Sequence, residues 1–188
     1  TVDRWTPVGV EEINGATAIT TGGPNSCALS SGAVRCWGGN EFGQLGDGSN
    51  DSRTAAVAVP GLENGVAAIA AGMYHTCARL ESGQARCWGL NASGQLGDGT
   101  RVNRNAPVAV LNLGAVSDIA AGIVHSCAIV ANGALTCWGG SFFGLLLGDG
   151  SNQDRLAPDR PSVPSGVVQI ALSGAHSCLV TQRGAMRC

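Results

Sequence analysis

The sequence has no lysine. All 11 basic residues are arginines, they are set against 13 acidic groups, and they are scattered. No cluster of four or five basic residues occurs, so the electrostatic footprint of a phosphate-backbone partner is missing and nucleic acid is not expected as a partner. Aromatic residues are also few, 4% of the chain, so small side chains and turns must carry most of the packing. No apolar run approaches the ~20 residues of a membrane-spanning helix, and no membrane span is expected. The first residues carry no secretory leader pattern, so the segment reads as mature chain. A sustained i, i+3, i+4, i+7 apolar pattern is absent as well, which removes amphipathic helices from the reading.

What the sequence has in quantity is glycine, 29 residues, and cysteine, eight residues at regular spacings in a chain of 188. An even number of regularly spaced cysteines in a chain of this size points to an oxidising compartment and a disulfide framework. A secreted or cell-surface location is therefore expected.

The spacings reveal a repeat. Cys27, Cys77, Cys127 and Cys178 are 50, 50 and 51 residues apart; Trp37, Trp88 and Trp138 are 51 and 50 apart; the Gly-Asp-Gly triplets at Gly46, Gly97 and Gly148 are 51 and 51 apart. Three landmarks sharing one period define tandem units. Within a unit, short apolar stretches alternate with glycine and polar turns, the signature of strands. The fold class is all-β, a single array over 1–188. Its approximate units are 21–70, 71–120 and 121–171, with 1–20 as the tail of a preceding unit and 172–188 as a partial one.

Opposed residues of an antiparallel hairpin have a constant index sum, which pairs the cysteines. Cys77 and Cys87 are symmetric about Ser82, as a three-residue loop at 81–83 requires, and Cys127/Cys137 and Cys178/Cys188 repeat that spacing. Cys27 and Cys36 are one residue closer and symmetric about the Ser31–Gly32 bond, so a two-residue turn restores the opposition. All four pairs are expected as disulfides within hairpins, at non-hydrogen-bonded positions where Cα atoms lie close enough to bridge. Gly32, Gly83, Gly133 and Gly184 recur in that turn, and recurrence at a fixed offset points to a positive φ or a close backbone approach there. A zinc site of His75, Cys77 and Cys87 is the rival reading. It fails in the first unit, where Asn25 replaces the histidine while both cysteines remain.

The strings His75-Thr76-Cys77-Ala78, Cys87-Trp88-Gly89, Asn91-Ala92-Ser93-Gly94-Gln95-Leu96-Gly97-Asp98-Gly99-Thr100 and Pro107-Val108-Ala109-Val110 resemble the regulator-of-chromosome-condensation repeat. The cysteine-bearing form resembles its bacterial and extracellular branch. The resemblance implies a β-propeller, normally of seven four-stranded blades, of which this chain would be a partial set. Residues 4–10 align with 104–110, the closing strand of a unit. The expectation is a segment of a longer propeller, or copies that associate to complete a ring. Two departures stand out: the third unit reads Ser141-Phe142-Phe143-Gly144-Leu145-Leu146-Leu147 where the others carry Asn and Gln, and the fourth shortens the approach to Cys178.

An enzyme needs a local, asymmetric constellation. Here His75, His125 and His176 share one repeat slot, as do Asp47, Asp98 and Asp149, which favours structural hydrogen bonding and turn capping. The Trp after each second cysteine reads as a packing anchor between units. Residues 47–51 space carboxylates like the start of a calcium loop, but the second unit does not repeat them and no downstream glutamate completes the set. Asn50-Asp51-Ser52 and Asn91-Ala92-Ser93 are formal glycosylation acceptors. No catalysis, cofactor or metal is expected. Function should sit where the repeat symmetry breaks, at the unrepeated aromatics Phe42, Phe142, Phe143, Tyr74 and Trp5: exposed together they would form a surface for a protein partner, and the alternative is that they fill gaps between blades. The leading expectation is non-catalytic protein binding or extracellular assembly. The resemblance also implies two alternatives: inhibition of a secreted enzyme, as by a β-lactamase inhibitory propeller, and nucleotide exchange on a small GTPase.

Overall fold

A computed structural model describes residues 5–6, 8–141, 147–148, 150–158, 165–174 and 176–188. Among them there is no helix; the chain forms four small antiparallel sheets. The first contains β1 (Ala16–Thr21), β2 (Asn25–Ser30), β3 (Ala33–Gly38) and β4 (Arg53–Ala58). The second contains β5 (Val66–Ala71), β6 (His75–Leu80), β7 (Ala85–Gly89) and β8 (Arg104–Ala109). In both, the strands lie in sequence order, as in a meander. The third contains β9 (Val116–Ala121), β10 (His125–Val130) and β11 (Leu135–Gly139), and a single bridge from Gly139 to Arg155 stands where the outer strand would lie. The fourth contains β12 (Val167–Leu172), β13 (Ser177–Thr181) and β14 (Met186–Arg187). These are blades of a β-propeller.

The hairpin arithmetic holds in detail. Ser30 pairs with Ala33, and the two residues between them, Ser31 and Gly32, both have positive φ (48° and 77°), the geometry that twists with the strands. In the second sheet Leu80 N–H donates to the Gln84 carbonyl across the three-residue loop 81–83. Cys27 faces Cys36, Cys77 faces Cys87 and Cys127 faces Cys137, and each pair is bridged, as is Cys178–Cys188, with Cα atoms 4.1 Å apart.

The sheets open one strand earlier than the expected units. Boundaries at 20/21, 70/71, 120/121 and 171/172 cut the last residue from β1, β5, β9 and β12, which pair with the strand that follows. Cysteine and tryptophan landmarks set the period; the phase is set by tight turns such as the one closed by Gly72 N–H on the His75 carbonyl.

The core lies between sheets. Cys27, Leu29, Val34, Cys36, Leu45 and Leu62 of the first blade pack against Val66, Ala78 and Trp88 of the second. Cys77, Cys87 and Leu96 of the second meet Ile119, Ala128 and Trp138 of the third, and Cys127, Cys137 and Leu147 of the third meet Ile170 and Leu179 of the fourth. In each of these layers a disulfide from one blade forms part of the apolar wall on which the next blade rests. Each bridge closes a loop of about 10 residues, worth about 2–3 kcal/mol of chain entropy. Cys77→Ala/Cys87→Ala should therefore lower the unfolding free energy by at least about 2 kcal/mol in denaturant titrations. Hydrogen exchange should accelerate in β6, β7 and the facing β9 while β2 and β3 keep their protection. Equal acceleration throughout would contradict a local role.

Candidate functional site

Between blades, one loop does most of the polar work. After β3 the chain enters Asn40-Glu41-Phe42-Gly43-Gln44-Leu45. Asn40 is fully buried and holds this loop from inside. Its Oδ1 accepts from Leu45 N–H (2.9 Å), and its Nδ2 donates to the Ser49 and Asp51 carbonyls (3.1 and 3.0 Å). Gln44 Oε1 accepts from Phe42 N–H (2.9 Å), which fixes the main chain there. The Gln44 carbonyl is thereby presented to the next sheet, where it accepts from Trp88 Nε1 (2.9 Å) and Thr76 Oγ1 (3.0 Å). The second interface repeats this: Gln95 O accepts from Trp138 Nε1 (3.0 Å) and Ser126 Oγ (2.9 Å). Trp88 and Trp138 are fully buried, so each indole N–H needs the partner it finds. Gly46 and Gly97 are required beside them, because a Cβ at either would lie 2.7 Å from the indole nitrogen and both have positive φ.

The histidines extend this relay. The Ser126 hydroxyl proton goes to Gln95 O, so His75 Nε2, 2.9 Å from Ser126 Oγ, must be the donor, and His75 is the neutral Nε2–H tautomer. Its Nδ1 is buried without a partner. Burial, and secondarily the nearby His125, push the His75 pKa down to about 3; burial pushes His125, which makes the same contact to Ser177 at 2.9 Å, down to about 4. Asn25 does the same task in the first blade, its Nδ2 donating to Thr76 Oγ1 at 3.3 Å. The natural exchange of histidine for asparagine is thus a swap of one donor for another. His75 is committed to this contact and Cys77 to its bridge, which leaves no zinc ligand set.

The aspartates cap turns. Asp47 Oδ1 accepts from Ser49 N–H and Oγ (2.9 and 2.8 Å), and Oδ2 pairs with Arg53 (2.8 Å). Burial acts to raise its pKa, but these bonds outweigh burial and hold the carboxyl below its ordinary value. Asp98 repeats the arrangement with Thr100 and Arg104, and its pKa is likewise lowered. Both carboxylate oxygens of Asp47 are thus engaged within the chain, Oδ1 by Ser49 and Oδ2 by Arg53. Of the two glycosylation acceptors, Asn50 is exposed. Asn91 is fully buried and its Nδ2 donates to Asp98 and to the Thr100 and Val102 carbonyls, so it cannot carry a glycan in the folded chain.

Of the symmetry-breaking aromatics, the structure joins Phe42 and Tyr74. Their ring centroids are 5.1 Å apart at 66°, edge to face, across the first interface, and both are half-buried. Phe142 and Phe143 lie outside the described residues. Trp5 is 98% exposed and makes no ring contact among the described residues. The sequence reading missed two residues, one of them next to Tyr74 in the chain. Met73 and Ile123 are exposed in the β5–β6 and β9–β10 turns, at a slot that glycine fills in the other blades (Gly23, Gly174). That exchange of glycine for a large apolar residue was the available signal. With Gly22, Gly72 and Gly122 they line a shallow groove of about 260 Å³ where the inner-strand turns converge.

The sequence profile of the regulator of chromosome condensation (RCC1) repeat matches residues 31–79 and 82–129, and a second profile of the same repeat matches 66–95 and 116–145. The human E3 ubiquitin-protein ligase HERC2 is 42% identical over 88 residues, 46% of this chain and 2% of that protein. Two solved structures share the fold. Prp20p of Saccharomyces cerevisiae, described with its binding to Gsp1p and histones, superposes with a TM-score of 0.76 at 22% identity, covering 88% of this chain and 43% of that one. The ectodomain of the Physcomitrella patens receptor kinase CR4 gives 0.60 at 23%, covering 92% and 40%. The chain thus spans less than half the length of each.

Neutral, buried histidines make stability depend on pH. Their folded pKa values lie below the ordinary 6.5, so the unfolded state binds protons first on acidification. The contribution is complete above pH 6.5 and is lost as pH falls towards 4 and 3. His75→Asn, the residue the first blade uses, should remove its share. Between pH 7 and 4 the gap in unfolding free energy between wild type and variant should shift in the variant's favour by about 2–3 kcal/mol. A gap independent of pH would contradict the neutral, buried state.

Proposed function

Because the chain belongs to the RCC1 repeat family, in its cysteine-bearing form, we propose that it is a non-catalytic, protein-binding propeller segment of the extracellular space, secreted or held at a cell surface. The observation that carries the binding role is the Phe42–Tyr74 pair with Met73 beside it. The repeat explains buried aromatics and buried apolar residues at interfaces, but not these partly exposed turn residues: Phe42 stands where the second blade has Ser93, Met73 where the first and fourth have Gly23 and Gly174, and Tyr74 is an aromatic where the others have Pro24, Val124 and Ala175. Aromatic and methionine side chains with one face open are what protein contact surfaces enrich. Propeller relatives point the same way: Prp20p is described by its binding to other proteins. HERC2 is a ligase, but the chain corresponds to 2% of it, so that activity does not transfer. The extracellular setting is supported by the four bridges, since all eight cysteines are paired and none is free.

Two measurements test this reading together. Protein taken from its natural host should resist thiol alkylation at all eight cysteines until reduced and unfolded. Partners captured on the wild-type chain, identified by mass spectrometry and titrated individually, should bind Phe42→Ser/Tyr74→Ser at least about ten-fold more weakly, a loss near 1.4 kcal/mol. Free thiols in the native protein would overturn the location, and equal affinities would overturn the contact surface.

A further inference from the structure

The aromatic contact at the first interface shares its loop with two unpaired acids. Glu41 precedes Phe42, and Asn50 Nδ2 donates to the Glu41 carbonyl (3.0 Å), which holds the segment carrying Asp51 against Glu41. Both acids are exposed, and neither carboxylate accepts a hydrogen bond or joins an ion pair among the described residues. The arginines of these loops are committed elsewhere: Arg53 to Asp47, Arg101 to Asp154 and Arg104 to Asp98.

The acids depart from the repeat as the aromatics do. Their slots in the second blade hold Ala92 and Val102, and the slot of Asn50 holds Arg101, whose charge Asp154 of the third blade meets. Ala92 and Val102 are exposed although their blade has a neighbour on each side. Exposure therefore belongs to the slot and not to the first blade's place in the array. Toward the inner-strand turns the surface carries no charge. The groove at Met73 and Ile123 is otherwise lined by glycine, alanine, serine, threonine and leucine. Two of its main-chain donors are already taken, Gly23 N–H by Met73 O (3.0 Å) and Met73 N–H by Gly122 O (3.2 Å). These turns thus offer a partner side chains and not strand pairing.

We infer that the partner bound at this surface is a protein segment in which apolar side chains are flanked by arginine or lysine. Its apolar side chains cover Phe42, Tyr74 and Met73, and its cations meet Glu41 and Asp51 at the edge. Charge decides the class of partner. Two exposed acids without a counter-ion disfavour nucleic-acid phosphates and anionic lipid headgroups, and they attract a basic peptide. An apolar centre with charge at its rim also divides the work, the centre supplying most of the affinity and the rim the selectivity and the rate of encounter. The inference rests on the reading of Phe42 and Tyr74 as a contact surface and adds the chemistry of what they contact.

The probe is a random peptide library displayed on phage and selected on the wild-type chain. Enriched peptides should join aliphatic or aromatic residues to arginine or lysine. Labelled copies of these peptides are then titrated by fluorescence anisotropy. They should bind Glu41→Gln/Asp51→Asn at least about five-fold more weakly at low salt, and the difference should shrink as added salt screens exposed charges. They should bind Phe42→Ser/Tyr74→Ser at least about ten-fold more weakly at low and high salt alike. The acid variant changes only exposed side chains, and its circular dichroism and melting should match the wild type. If the aromatic variant loses binding and the acid variant does not, the contact surface stands and the basic partner is ruled out. If neither variant loses binding, both readings fall. Enrichment of neutral or acidic peptides, or no enrichment at all, also overturns the basic partner.

Discussion

The carbonyl oxygen of Gln44, and its counterpart on Gln95, is shared between two blades. It accepts from an indole N–H and a hydroxyl that both belong to the following sheet, 2.9 to 3.0 Å away. Much of the interface follows from placing that one atom. A buried tryptophan brings a large apolar surface and one obligatory donor; leaving that donor unpaired would cost about 1–3 kcal/mol and cancel much of the gain. The asparagine that rigidifies the loop, the glycine that lets the ring lie against it, the hydroxyl before each cysteine and the histidine or asparagine that feeds that hydroxyl all serve to keep the carbonyl in reach. Capping by a main-chain oxygen also makes the contact independent of which side chain stands at the position, provided the loop keeps its shape.

Covalent and non-covalent forces divide the work. The disulfides hold neighbouring strands within a sheet, where hairpin pairing already supplies register. No bridge joins two sheets, and the blades are held to one another by burial and by the shared carbonyl. The bridges nonetheless reach the interface, since their sulfurs line the wall that the next blade covers. Tightening a hairpin therefore also hardens the surface its neighbour needs. This division fits an architecture in which each unit contacts mainly the next and stability accumulates by nearest neighbours.

Much of this was legible in the sequence because it is local. Cysteine spacing encodes hairpin register, and the one-residue deletion at Ser31–Gly32 with unchanged opposition is itself evidence for pairing. The phase of the sheets was not legible, since a period read from landmarks carries no information about which neighbour a strand joins. Interface chemistry was hidden for a related reason. Thr76 reads as an ordinary strand residue until Gln44, in the preceding blade, is placed against it, and a backbone carbonyl leaves no trace in residue identity. The aromatics showed the same limit. Phe42 and Tyr74 were each visible as departures from the repeat, but only folding shows that they meet, and Met73 passed unnoticed because methionine in a turn carries no motif.

The indole N–H groups of Trp88 and Trp138 are each held by a carbonyl of the preceding blade, and those protons can be observed directly. With tryptophan nitrogens labelled, exchange of each indole proton with deuterated solvent can be followed by NMR at neutral pH. The fully exposed Trp5 provides the reference rate. The Trp88 and Trp138 protons should exchange at least about a hundredfold more slowly than that of Trp5, as expected for bonds that open only when blades separate. Exchange of Trp88 and Trp138 at the Trp5 rate would show that the shared carbonyl does not hold the blades together.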